Sequence, residues 1–110
     1  MGLYAVGTTG DLTLVASCPN DTTIWAAASS KYSRALSASY GLVAGTRYAT
    51  GLLFVGTTAP TVHGFSGLIG AELALSPRLC ASRAGLTDLP ASVAVGELTD
   101  PTFVPYVTLS

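Results

Sequence analysis

One histidine and two cysteines are the strongest transition-metal ligands in this 110-residue chain, and His63, Cys18 and Cys80 lie far apart. A zinc site needs several such ligands gathered together, so no metal and no cofactor is expected. His63 stands beside Gly64 in a turn-like stretch and reads as a solvated or hydrogen-bonding residue. With a serine and an aspartate it could complete a hydrolytic triad, and residues 64–67, G-F-S-G, approach a nucleophile elbow. That motif is G-x-S-x-G on a strand-to-helix turn. Here Leu68 takes the last glycine position and the flanking chain supplies no such unit.

Gly64, Gly67 and Gly70 recur without the phosphate-cradling pattern or a following lysine. Asp11, Asp21, Asp88 and Asp100 each stand alone in turn contexts. Aspartate stabilises turns by bonding its own backbone, whereas calcium needs several oxygens in one loop. Glu72, in an apolar segment, lacks the partner carboxylate that glycoside hydrolysis requires. No catalytic residue is therefore predicted. The remaining route to binding is aromatic. Trp25, Tyr32 and Tyr40, with Tyr48, are the candidates for stacking against a sugar, although core packing is the commoner use of such rings.

Composition narrows the class of partner. Charged residues make up 10% of the chain, against about 25% in ordinary soluble domains, while hydrophobic residues reach 49%. A single domain of this size has much surface and little charge to cover it, which fits either a small sandwich with a weakly charged Ser/Thr-rich surface or, the preferred reading, burial against copies of itself or other chains. The net charge of −1 comes from scattered residues with no basic patch, so nucleic acid is not an expected partner. No apolar run reaches the length of a membrane span. The first residues, M-G-L-Y-A-V, lack a signal-peptide pattern, and Val6 breaks the myristoylation motif. Without an export signal, Cys18 and Cys80 are expected as free thiols.

The elements read as short strands between turns. Residues 3–6 and 12–16 flank the polar turn G-T-T-G-D and predict a hairpin, with Leu12, Leu14 and Ala16 sharing a face. Residues 22–36 are ambiguous. Ile24, Ala28, Tyr32 and Leu36 fall at helical spacing, but Thr22, Thr23 and Ile24 are β-branched and the middle is serine-rich. A strand or extended arm over 22–26, a loop over 28–30 and a strand over 32–36 are preferred. The turn A-G-T at 44–46 opens R-Y-A-T-G-L-L-F-V, residues 47–55, whose apolar end predicts a central strand covered on both faces. Residues 62–65 read as a brief strand and 67–75 as helical turns or a packed loop. Residues 78–82 are extended, 84–90 turn-rich and 92–95 a short segment. A final strand spans 103–109, where Pro105 requires an edge or bulge. Together these predict an all-β, antiparallel β-sandwich of jelly-roll type in one domain, residues 1–110.

Four segments carry a resemblance: G-L-Y-A-V at 2–6, D-L-T-L-V-A at 11–16, A-G-T-R-Y-A at 44–49 and D-L-P-A-S at 88–92. The chain resembles β-rich domains of minor tail or fibre-like virion proteins of phages that infect actinobacteria. The resemblance covers most of the chain, and its motifs are structural. It implies a virion location and a non-enzymatic structural or adhesive role. It also implies homo-oligomers or contacts with other virion proteins, and a host surface glycan as a further partner. Such domains have strands ahead of G-L-Y, so the resemblance implies either a longer parent chain or a neighbouring subunit that adds the missing strand.

Overall fold

The computed structural model describes residues 1–24, 26–27, 29–66, 78–101 and 103–109. The glycine-spaced segment 67–75, with Glu72, and Trp25 lie outside the described residues.

The G-L-Y-A-V stretch forms β1, Gly2–Val6, and L-T-L-V-A-S forms β2, Leu12–Ser17. The polar turn between them closes as expected. Gly7 N–H donates to the Asp11 carbonyl at 2.8 Å and Gly10 N–H to the Gly7 carbonyl at 3.0 Å. Gly10 has φ +93°, a conformation that favours glycine, and its Cα side lies close to Val95. The register of the hairpin shifts between Leu3 and Tyr4, so that Leu3 opposes Ala16 but Tyr4 opposes Leu14. Val15 is the extra residue of a β-bulge. Ala16 therefore joins the face of Leu3 and does not share the row of Leu12 and Leu14.

β3, Arg47–Gly51, pairs antiparallel with β1, and β5, Ser92–Val93, pairs with β2. The sheet order is β3-β1-β2-β5. A second, two-stranded antiparallel sheet joins β4, Gly64–Ser66, to β6, Phe103–Pro105. Among the described residues the only helical piece is a 3-10 turn, Val95–Glu97. The fold is thus all-β and antiparallel, and Pro105 sits on a sheet edge as its missing N–H requires.

Residues 47–55 do not form the central strand. β3 stops at Gly51, lies at the margin of its sheet, and leaves Phe54 41% and Val55 60% exposed. The ladder ends there because Gly51 faces Gly2, the first strand residue of β1. The centre is β1, where consecutive residues on opposite faces are both dry: Leu3 is 3% and Tyr4 4% exposed. A continuous apolar run does mark a strand covered on both sides; the run that does so is L-Y-A-V. Residues 32–36 form no strand either. They pass beside the end of β2, where Ser37 N–H donates to the Ser17 carbonyl at 2.8 Å and the buried Cys18 thiol to the Arg34 carbonyl at 3.6 Å. Residues 22–24 bend and do not extend. β4 and β6 are shorter than the strands expected at 62–65 and 103–109.

Tyr4 organises the core. Its ring lies over Gly51, where a Cβ would come within 2.8 Å of Cε2, and its hydroxyl donates to the Pro90 carbonyl at 3.1 Å. Gly2 is covered in the same way by the side chains of Leu89 and Leu14. The D-L-P-A-S segment is therefore drawn onto the sheet through Leu89 and Pro90, and Leu14 N–H donates to the Ala91 carbonyl at 2.9 Å.

Two outcomes follow from this packing. Gly51→Ala forces its methyl into the tethered Tyr4 ring and should destabilise the fold by about 1–3 kcal/mol, read as a lower urea midpoint at unchanged m. Burial, aided by the negative charge of Asp88, raises the Tyr4 phenol above its ordinary value of 10.0. The unfolded chain then loses this proton first as pH rises, so the contribution is complete below pH about 10 and is lost above it. Stability should fall on titration into that alkaline range, and Tyr4→Phe should flatten the slope.

Candidate functional site

The residues with chemical potential are dispersed. The His63 side chain is exposed, and the carbonyl of His63 accepts from Tyr106 N–H at 2.8 Å, a backbone contact that extends the β4–β6 sheet. Ser66 ends β4 opposite Phe103. Cys18 and Cys80 are free thiols, the first buried and the second half-buried. Burial pushes the Cys80 thiol above its ordinary value, the reverse of an activated cysteine. Among the described residues no three His, Cys, Asp or Glu side chains gather into a metal site, and no helix is long and apolar enough to cross a membrane.

The aspartates hold turns and distant segments together. Asp11 accepts from Thr9 Oγ1 and from Val95 N–H, both at 2.7 Å, which latches the hairpin turn to the 3-10 turn. These hydrogen bonds lower its pKa from the ordinary value. Asp21 accepts from Thr23 N–H at 2.7 Å and Thr23 Oγ1 at 2.6 Å, and pairs with Arg34 Nε. The hydrogen bonds from Thr23, then the Arg34 contact, hold its carboxyl well below the usual carboxylate range. Asp100 pairs with Arg78 at 3.2 Å and Glu97 with Arg83 at 2.7 Å, on either side of a bridge between Ser82 and Thr99.

Of the aromatic candidates, Tyr32 is half-exposed, and its hydroxyl accepts from Ala27 N–H at 2.5 Å and donates to the Ala27 carbonyl at 3.0 Å. Tyr40 packs edge-to-face on Tyr48, with ring centroids 6.1 Å apart and planes at 71°. The hydroxyl of Tyr48 accepts from Val43 N–H at 2.9 Å. A hydrogen bond with Tyr48 raises the Tyr40 phenol above its ordinary value. Tyr40 thus braces the turn before β3. Trp25 lies outside the described residues, so its place relative to these rings is not described.

The surface feature with the most to offer is one the spacing of residues did not single out. Leu42 and Val43, 63% and 59% exposed, precede β3, and Phe54 and Val55 follow it. Between them, β3 presents an open edge. Cys18 N–H donates to the Met1 carbonyl at 2.9 Å, just beyond the Gly2–Ser17 pair. That bond makes Gly2–Ser17 a non-hydrogen-bonded pair and Leu3–Ala16 a hydrogen-bonded one. Leu3 therefore aims its peptide groups at β2, while Gly2, Tyr4 and Val6 aim theirs at β3. Their partners Gly51, Ala49 and Arg47 point back at β1, which leaves the N–H and C=O of Tyr48 and Thr50 pointing outward. Among the described residues no hydrogen bond meets them. The legible signal for an edge was Arg47, a charge at the strand start of the kind that guards open margins.

A second apolar area lies on the small sheet. Phe65 and Tyr106, 63% and 77% exposed, line an open cleft of about 450 Å³ with His63, Val104 and Pro105. Its openness and sparse polar lining suit a flat contact better than an enclosed ligand.

The Asp21 cluster gives a direct test of how the 21–34 loop is held. Asp21→Asn should raise hydrogen-exchange and proteolysis rates there while leaving β1 and β2 protected. In the unsubstituted chain the loop should keep its protection above pH about 4 and lose it as pH falls below the usual carboxylate range.

No family model matches the chain, and no curated protein or solved structure with significant similarity to it is found.

Proposed function

We propose that the chain is a non-enzymatic structural or adhesive module of a virion, a phage tail, fibre or capsid-surface component, that works by assembling with copies of itself and with other virion proteins. The observation that carries this reading is the imbalance of its apolar side chains. Only Leu3, Tyr4, Cys18 and Val93 are buried hydrophobics among the described residues, while eight large hydrophobics are exposed. The accessible surface is 7629 Å². A folded monomer of 11.1 kDa has about 5,700 Å².

In this reading the two antiparallel sheets belong to a jelly-roll-like β-sandwich whose remaining cover comes from neighbouring chains. The resemblance of residues 2–6, 11–16, 44–49 and 88–92 to segments of minor tail and fibre-like proteins favours a virion setting. A stand-alone carbohydrate-binding module is the second reading, favoured by the Tyr40–Tyr48 pair beside exposed Leu42 and Val43. Glycan-array binding that is lost on Tyr40→Ala would select it.

Light scattering on the purified chain at micromolar concentration should give a mass that is a multiple of 11.1 kDa. Antibodies to the chain should decorate intact virions that carry its coding sequence. A monomer at every concentration, with undecorated virions, removes the assembly reading.

A further inference from the structure

The open margin of β3 is complementary to itself. We propose that two copies of this chain pair through β3 in antiparallel register about a two-fold axis at Ala49, joining their sheets into one. The proposal rests on the assembly reading above and supplies the surface that reading needs.

Three features commit the edge to a second copy. First, the outward peptide groups belong to Tyr48 and Thr50, which flank Ala49 symmetrically. A two-fold axis at Ala49 sets Tyr48 of one copy opposite Thr50 of the other, so every outward N–H meets an outward C=O. Ala49 then faces Ala49 as the close, non-hydrogen-bonded pair, with small side chains that allow the approach. A register shifted by one residue would set outward groups against groups already bound to β1.

Second, the charges agree. Arg47 is the only charged residue of β3, and the symmetric register places it opposite Gly51 of the other copy, so the like charges stand at opposite ends. Third, the flanks agree. Leu42 and Val43 lie before the turn that opens the strand and Phe54 and Val55 follow it, so exposed apolar side chains flank β3 on both sides in sequence. Apart from Arg47 at its start, β3 lacks the devices that blunt an edge: it contains no proline and pairs with β1 without a register shift.

Thr50→Pro tests the pairing. Its N–H points outward, so proline removes a donor from the seam and leaves the β3–β1 ladder intact. The expected result is a monomer at concentrations where the unsubstituted chain is dimeric, with an unchanged circular-dichroism spectrum. Ala49→Cys is the second variant. Oxidised glutathione should convert it to a disulfide dimer well beyond the level given by the unsubstituted chain and by Thr8→Cys, which places a thiol on the exposed hairpin turn. A Thr50→Pro protein that keeps its oligomeric mass, or an Ala49→Cys protein that cross-links no better than those controls, overturns β3 pairing and leaves assembly through another surface standing. A monomeric unsubstituted chain overturns both.

Discussion

Tyr4 can be buried because its ring has a glycine to lie on and its hydroxyl has a carbonyl to reach. The first condition is Gly51 on β3, and the second is Pro90, 86 residues away in sequence. A buried hydroxyl without a partner costs about 1–3 kcal/mol, so the bond to Pro90 is what allows an aromatic residue at the centre of so small a core. The same contact ties a β3 residue, a β1 residue and the D-L-P-A-S segment to one another. It joins residues 86 apart in sequence at 3.1 Å.

Around that contact the chain uses its few charges as fasteners. Asp11, Asp21, Glu97 and Asp100 each tie a turn or loop to a second segment, and Arg34, Arg78 and Arg83 are spent in the same pairs. Exposed pairs of this kind add little stability each, but they fix the path of irregular segments that bury almost nothing. The consequence is an outer surface left to threonine, serine and bare aliphatic or aromatic side chains.

Local signals were legible in the sequence and long-range ones were not. The 2–17 hairpin and its G-T-T-G-D turn were readable because alternation and turn residues are neighbours in the chain. The turn at 43–46, closed by Thr46 N–H to the Val43 carbonyl at 3.2 Å with Gly45 at φ +81°, was readable for the same reason. The strand order was not. Residues 52–55 are as apolar as a buried strand, yet the β3–β1 ladder stops at the Gly2–Gly51 pair. The bulge at Val15 was equally hidden, because an inserted residue leaves the composition of a strand unchanged. Residues 32–36 satisfied a strand pattern only through Tyr32 and Leu36, too little apolar surface to hold a ladder. The edge at β3 required knowing which strand stood in the middle.

The far margin of the same sheet sets a limit on growth. β5 contributes only Ser92 and Val93 before the chain folds into the 3-10 turn at Val95–Glu97. Two residues are too few to template another strand, so a sheet lengthened at its β3 side terminates at a blunt rim in each direction. If copies pair at β3 as proposed, this sheet would close at two copies and would not run on as a fibre.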